Sequence, residues 1–263
     1  MTDLETGNVE QAKQKLLALE TWYSSGSEFI DTEWTNAPEI IVDQDLIDQM
    51  PVVEEELDQE EIEEKLEEMD TNELPVEVNL DVTFYPQAPD WDWSLPWKEA
   101  CEESSVIQAY YYVTGQNLDK QTFKSEVIEI VDLQNKMFNK YIDTSVAETA
   151  EFLEEHYGYA DYKIIDNPTV EELKSELAQW HPIVAPFAWK ELGNWFFTNG
   201  WPRYHMLTIV GYNDEFFLTN DVWTSRWENF AYSYDTIINA MHDLVPVWEW
   251  DILTGEKRVL VLQ

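Results

Sequence analysis

The chain of 263 residues has one cysteine, 8 glycines and 15 basic side chains. A single cysteine excludes an internal disulfide and any zinc site built on cysteine pairs, while saying little about compartment. Glycines this few and this scattered form no phosphate-binding loop, and no Asp, Glu or His spacing resembles a metal cage. Neither a metal nor a cofactor is expected. The 15 basic residues face 54 acidic ones, giving a net charge of -39. Such a chain repels nucleic acid and anionic membranes, whose binding rests on clustered Lys and Arg. No apolar run approaches the length that spans a bilayer, and the first thirty residues lack the basic start and apolar core of a signal peptide. The expectation is a cytoplasmic protein with no membrane-spanning segment.

What is present is the composition of a folded protein: 44% hydrophobic residues, 14% aromatic, 13 tryptophans. General disorder is excluded, and the length suits one domain plus an appendage. The appendage is N-terminal. Residues 1–80 hold 24 acidic and 3 basic side chains, with weak helical stripes over 9–21 and 54–69. Residues 1–75 therefore read as an acidic arm, partly helical or disordered and solvated. The sharper alternative is a pro-segment or a helix that docks a protein partner. Calcium would be attracted to it weakly and without specificity.

Residues 76–263 read as a compact domain. Alternation over 76–84 suggests a strand that delivers Gln87. Pro96, Trp97, Glu99, Glu102 and Glu103 suit a first helical turn, and an apolar face then runs from Val106 to Val113, closed by Gly115. A helix follows over 119–131. Ser145 with Glu148 and Thr169 with Glu172 are capping boxes opening two more. Short apolar runs at 182–188, 205–212, 216–220 and 258–262 read as strands. Helices first and strands later imply an α+β fold, with the N-terminal helices packed on an antiparallel sheet.

Two segments carry chemistry. Cys101 sits near a helix N-terminus, where unpaired N–H groups and the helix dipole favour a thiolate, although the neighbouring glutamates oppose it. His205 opens a strand that returns through Asn213, Asp214 and Glu215. A three-residue turn places Asp221 on the His205 face; a two-residue turn presents Asn220 instead. A histidine oriented on its far nitrogen by a carboxylate or amide is the device that takes a proton from a thiol. Alone, each residue has a plainer reading: Cys101 as a small core hydrophobe, His205 as a bonded core residue, Asp221 as a turn former, Gln87 as a backbone partner. His156, His181 and His242 read as structural or surface residues. Trp91, Trp93, Trp97, Trp189, Trp195, Trp201 and Trp223 flank the site segments, lining an apolar cleft or filling the core.

Gln87-Ala-Pro, a Trp-containing spacer, Ala-Cys101-Glu-Glu-Ser-Ser, Asp143-Thr144-Ser145, Leu192-Gly193-Asn194, His205-Met206-Leu207 and Gly211-Tyr212 together resemble the stand-alone relatives of the double-glycine, or bacteriocin-leader, cysteine peptidases. That family has the papain-like fold. The resemblance spans residues 76–244 and leaves the acidic arm outside. It implies Cys101 as nucleophile, His205 as general base and acid, Asp221 as orienter, and Gln87 as oxyanion-hole donor beside the Cys101 N–H. The family pattern continues Asn-Asp with Pro-Gly-Thr, whereas Asn220-Asp221 is followed here by Val222-Trp223-Thr224. The implied activity is peptide hydrolysis on a peptide or protein substrate. Alternatives are amide hydrolysis or acyl transfer by the same triad, and a non-catalytic protein-binding module that keeps the fold. The arm lacks a strong apolar face, so deletion of residues 1–72 is expected to leave a soluble domain that still melts cooperatively in thermal denaturation; global unfolding would make the arm structural.

Overall fold

The computed structural model describes residues 74–193, 203–223, 228–246, 249 and 251–263. Contacts divide the chain into Met1–Glu68 and Met69–Gln263, and every described residue belongs to the second unit. The acidic arm up to residue 73, Asn194, Trp195 and Trp201 lie outside the described residues.

Strand β1 (Val78–Asn79) is followed by a 3-10 turn (Trp97–Glu99) and three helices: α1 (Cys101–Val113), α2 (Lys120–Phe138) and α3 (Val146–Tyr157). Then come β2 (Tyr162–Asp166), α4 (Val170–Ala178), β3 (Ile183–Ala188), β4 (Tyr204–Tyr212), β5 (Phe216–Asn220), β6 (Phe230–Ser233), α5 (Tyr234–Ala240) and β7 (Arg258–Leu262). The strands form one antiparallel sheet in the order β2-β7-β3-β4-β5-β6, with β1 added to β4. This is the α+β architecture that the order of helices and strands implies.

Local chemistry sets most element starts. Asp119 accepts from Thr122 N at the head of α2. Ser145 and Thr169 form reciprocal capping boxes with Glu148 and Glu172 at α3 and α4, satisfying N–H groups that the helix itself leaves open. Beyond α1, Gly115 adopts φ +63° and its N–H bonds Tyr112 O, while Gln116 N bonds Tyr111 O. Such a closing turn needs a residue that tolerates the left-handed region.

Alternation along the central strand sorts the core into two layers. Tyr204 and Met206 pack with Val106, Ile107, Phe152 and Leu153 from α1 and α3. Leu207 and Ile209 pack with Leu173 and Leu177 of α4 and Ile237 of α5. Period-two alternation in β4 is thus buried on both sides, as expected of a sheet with helices on each face.

Three expectations are corrected. The strand over 76–84 shrinks to Val78–Asn79, with Leu80 N adding one bond to Val210 O at 2.7 Å; the rest runs alongside as irregular chain. The residues around Pro96 form a separate 3-10 turn, and the α-helix begins at Cys101 itself. The return from β4 is not a three-residue turn. Tyr212 pairs with Phe217, and Asn213 N donates to Phe216 O at 3.0 Å, which leaves Asp214 and Glu215 as the loop. Asn213 Oδ1 accepts from Glu215 N and Phe216 N, taking the place of a backbone carbonyl. A two-residue loop alone would turn Asn220 toward the His205 face. A β-bulge between Ile209 and Gly211 restores the offset, so that Thr208 pairs with Asn220 and Asp221 falls on the parity of His205,. Strands β2 and β6 and helix α5 were not anticipated; β2 and β6 are half-exposed edges with weak alternation.

Gly211 next to the bulge is required by close approach. A Cβ there would lie 2.2 Å from Val78 O and 2.9 Å from Asn79 Cα, so β1 could not pair. Gly211→Ala is expected to lower the unfolding free energy by about 2 kcal/mol, in the range of overpacked core substitutions. Urea unfolding followed by circular dichroism reads this directly, and an unchanged midpoint would show that β1 pairing contributes nothing.

Candidate active site

The site begins with a helix laid across a strand. Ser105 Oγ donates to Met206 O at 3.3 Å, and Thr208 Oγ1 donates to Ser105 O at 3.2 Å. These bonds hold the start of α1 against the start of β4. Cys101 is the first residue of α1 and is 6% exposed. At that position its N–H has no intrahelical acceptor.

His205 is buried, with Nε2 at 2.8 Å from Asp221 Oδ1. Its other nitrogen, Nδ1, is buried and has no hydrogen-bond partner among the described residues. Asp221 is fully engaged: Oδ1 also accepts from Trp223 N at 3.2 Å and Oδ2 from Tyr232 OH at 3.0 Å. Asn220 faces elsewhere. Its Nδ2 donates to Val82 O and its Oδ1 accepts from Asn229 N, so it braces the strand ends and does not touch the imidazole. Aromatic rings cover the pair: Trp189 stands edge-on to His205 at 4.7 Å and to Trp223 at 4.8 Å, and Trp93 lies 4.9 Å from Trp223. A hydrogen bond to a covered carboxylate is less screened by solvent.

Gln87 reaches the residues just before Cys101. Its Nε2 donates to Trp97 O at 3.0 Å and Lys98 O at 2.9 Å, and its backbone N donates to Val222 O. The side chain therefore ties the turn after β5 to the turn before α1. The segment carrying it is held by Gln108 of α1, which exchanges bonds with Tyr85 N and Tyr85 O. An oxyanion donor needs a free N–H, and here the amide hydrogens go to two carbonyls.

The thiol is not aimed at the imidazole. Cys101 Sγ donates to Glu102 Oε2 at 3.1 Å, and Glu102 Oε1 accepts from Thr144 N at 3.0 Å. Burial, followed by the field and hydrogen bond of Glu102, pushes the Cys101 thiol well above its ordinary value. Of the two opposed influences read from the sequence, the helix N-terminus and the neighbouring glutamates, the second prevails here, with burial added to it,. Burial likewise raises Glu102 to about 8, Asp143 to about 6, and Glu103 well above the carboxylate range. Sequence reasoning placed Glu102 and Glu103 on a first helical turn. Both are buried, because α1 is enclosed by α2, α3 and the sheet.

Tyr232 and Thr144 were the missed contributors. Tyr232 lies on β6, which carries little strand signal, and Thr144 belongs to Asp143-Thr144-Ser145, a motif with no role visible from spacing. The remaining histidines are structural: His156 Nε2 meets Glu126 at 2.7 Å, His181 Nδ1 meets Glu176 at 3.1 Å, and His242 Nδ1 meets Gly255 O.

An α+β fold with a cysteine opening a buried helix, and a histidine on the strand beneath it, is that of the papain-like cysteine peptidases. The chain belongs to the Peptidase C39 like family, whose model matches residues 79–249. Among solved structures, it is similar to a candidate C39-like peptidase from Bacillus anthracis (14% identity, 71% of this chain and 98% of that one, TM-score 0.48). It is also similar to xylellain, a cysteine protease from Xylella fastidiosa (14% identity, 73% and 87%, TM-score 0.43). No curated protein matches. The assignment rests on the family match and not on these two likenesses.

The raised carboxyls make stability pH-dependent. Unfolding returns each to the ordinary range, so the folded state holds protons that the unfolded state has lost. Their contribution is complete below about pH 4 and declines as pH rises toward about 6 for Asp143 and about 8 for Glu102,. Thermal melting is expected to be highest near pH 4 and to fall by pH 8, with a shallower fall in Glu102→Gln. Equal pH slopes in the two proteins would remove Glu102 from the titrating set.

Proposed function

We propose that the protein hydrolyses peptide bonds through Cys101, His205 and Asp221. The observation that supports this best is the pairing of His205 Nε2 with Asp221 at 2.8 Å while Nδ1 has no partner among the described residues. A carboxylate on Nε2 fixes the proton there and leaves the Nδ1 lone pair to accept the thiol proton. The resulting thiolate attacks the peptide carbonyl, and the carbonyl oxygen takes up the negative charge beside the Cys101 N–H. The imidazolium returns its proton to the leaving amine, and an acyl-enzyme remains. Water, deprotonated by His205, releases the acid and restores the thiol.

Asp221 stabilises the imidazolium by charge, and Tyr232 and the Trp223 N–H orient Asp221 in turn. Gln87 acts as the second oxyanion donor by exchanging the Trp97 or Lys98 carbonyl for the developing oxyanion. The substrate is a peptide or protein; Trp93, Trp189 and Trp223 give the surroundings of His205 an apolar, aromatic character,.

Cleavage of a mixed peptide library, read by mass spectrometry beside circular dichroism, tests the assignment. Cys101→Ala and His205→Ala are expected to abolish cleavage in a folded protein. Asp221→Asn should lower kcat about 100-fold or more, with Asn220→Ala far milder, and Gln87→Ala should lower kcat about 100-fold. Wild-type turnover in Cys101→Ala or His205→Ala ends the reading. An unchanged kcat in Gln87→Ala leaves that residue with only its structural bonds.

A further inference from the structure

In the resting site no hydrogen bond joins the two groups that must exchange a proton. The thiol proton goes to Glu102 Oε2 at 3.1 Å, and among the described residues the buried imidazole nitrogen Nδ1 has no partner. From this pairing of a diverted donor with a vacant acceptor we infer that Glu102 is a latch on the nucleophile. It holds the Cys101 thiol in a resting position, and turning the sulfur from Glu102 to His205 Nδ1 is the activating step. The inference rests on the reading of Cys101 as nucleophile.

Glu102 is built to hold rather than to drift. It is 1% exposed, and its second oxygen is fixed by the Thr144 N–H at 3.0 Å. Thr144 is itself anchored, with its carbonyl accepting from Tyr204 OH at 2.9 Å and its hydroxyl 3.2 Å from that of Thr149. Among the described residues Glu102 has no salt-bridge partner, so the thiol supplies one of the hydrogen bonds that a buried carboxyl requires. The groups facing Glu102 are Cys101 and Glu103 on its own helix, Asp143 and Thr144 from the segment before α3, and Tyr204 from β4; Lys140 and Arg203 act on Asp143.

The bonds between Ser105, Met206 and Thr208 fix α1 to β4 at the residues on either side of Leu207, next to His205. A change of staggered well at Cys101 χ1 moves the sulfur without moving the backbone. The proton then passes from sulfur to Nδ1, giving a thiolate and an imidazolium whose Nε2–H stays on Asp221. Glu102 keeps its own protonation state and loses only the thiol as donor.

Glu102→Gln separates this from a packing role. The Thr144 N–H needs an oxygen acceptor, so the Gln oxygen takes that place and the amide NH2 faces the sulfur. An amide NH2 donates and cannot accept from S–H. Iodoacetamide alkylation of the single cysteine in the full chain is the readout. The expected result is a rate at pH 7 raised about tenfold or more, with the pH midpoint lowered by about one unit. The gain should vanish in Glu102→Gln combined with His205→Ala, since the proton then has no destination. A folded Glu102→Gln protein with wild-type rate and midpoint overturns the latch.

Should Glu102→Gln not fold, the wild-type protein carries the test alone. Its only thiol gives one S–H stretching band in the Raman spectrum. A band shifted by hydrogen bonding at neutral pH is expected; no band, or the band of a free thiol, overturns the inference. Neither readout uses peptide turnover. A chain that cleaves no peptide yet shows the Glu102→Gln shift loses the peptidase reading and keeps the latch, and a working peptidase without the shift does the reverse.

Discussion

Two hydroxyl bonds, Ser105 Oγ to Met206 O and Thr208 Oγ1 to Ser105 O, are the constraint on which the site depends. They join residues about a hundred positions apart in sequence and fix both the height and the rotation of α1 over β4. With only apolar contact, ridges and grooves would set that rotation within a tolerance of many degrees. Hydrogen bonds between buried partners narrow it, because a misplacement leaves polar groups unsatisfied in a low-dielectric interior. The sulfur and the imidazole inherit their relative position from this joint.

A second consequence follows from burying the start of α1. A helix N-terminus in water attracts anions and favours a thiolate. Enclosed by α2, α3 and the sheet, the same end carries Glu102 and Glu103 into the interior, where desolvation outweighs the dipole,. Cys101 therefore rests as a thiol bonded to Glu102. The state of the sulfur is set by contacts across the fold and not by the helix alone.

Features governed by nearby residues were legible in the chain. The capping boxes at Ser145 and Thr169, the Gly115 closing turn and the strands at 216–220 and 258–262 depend on spacing over a few positions. The pairing of His205 with Asp221 was also legible, but through a turn that is one residue shorter than expected. The bulge at Val210 makes up the difference, and nothing in the alternation of β4 announces it. Glu102, Thr144 and Tyr232 escaped for another reason. Each acts through a partner that is distant in sequence or a neighbour whose burial only the assembled layers decide. Gln87 bonds the turn just before Cys101, and the direction of its amide depended on the carbonyls exposed by a 3-10 turn that the sequence pattern merged into the helix.

The bulge has a bearing on how such a hairpin can change over time. Because side chains alternate with period two, gaining or losing one residue in the Asp214–Glu215 loop would rotate every later residue of β5 by one face. A bulge absorbs one residue by the same amount in the opposite sense. Loop length and bulge therefore act as paired counters, and only their combined parity has to be kept for a carboxylate to meet His205. A hairpin of this kind can accumulate insertions and deletions at its tip, where they are tolerated sterically, provided that each is matched within the strand. In the chain described here, the match lies beside Gly211, at the point where β1 crosses closest.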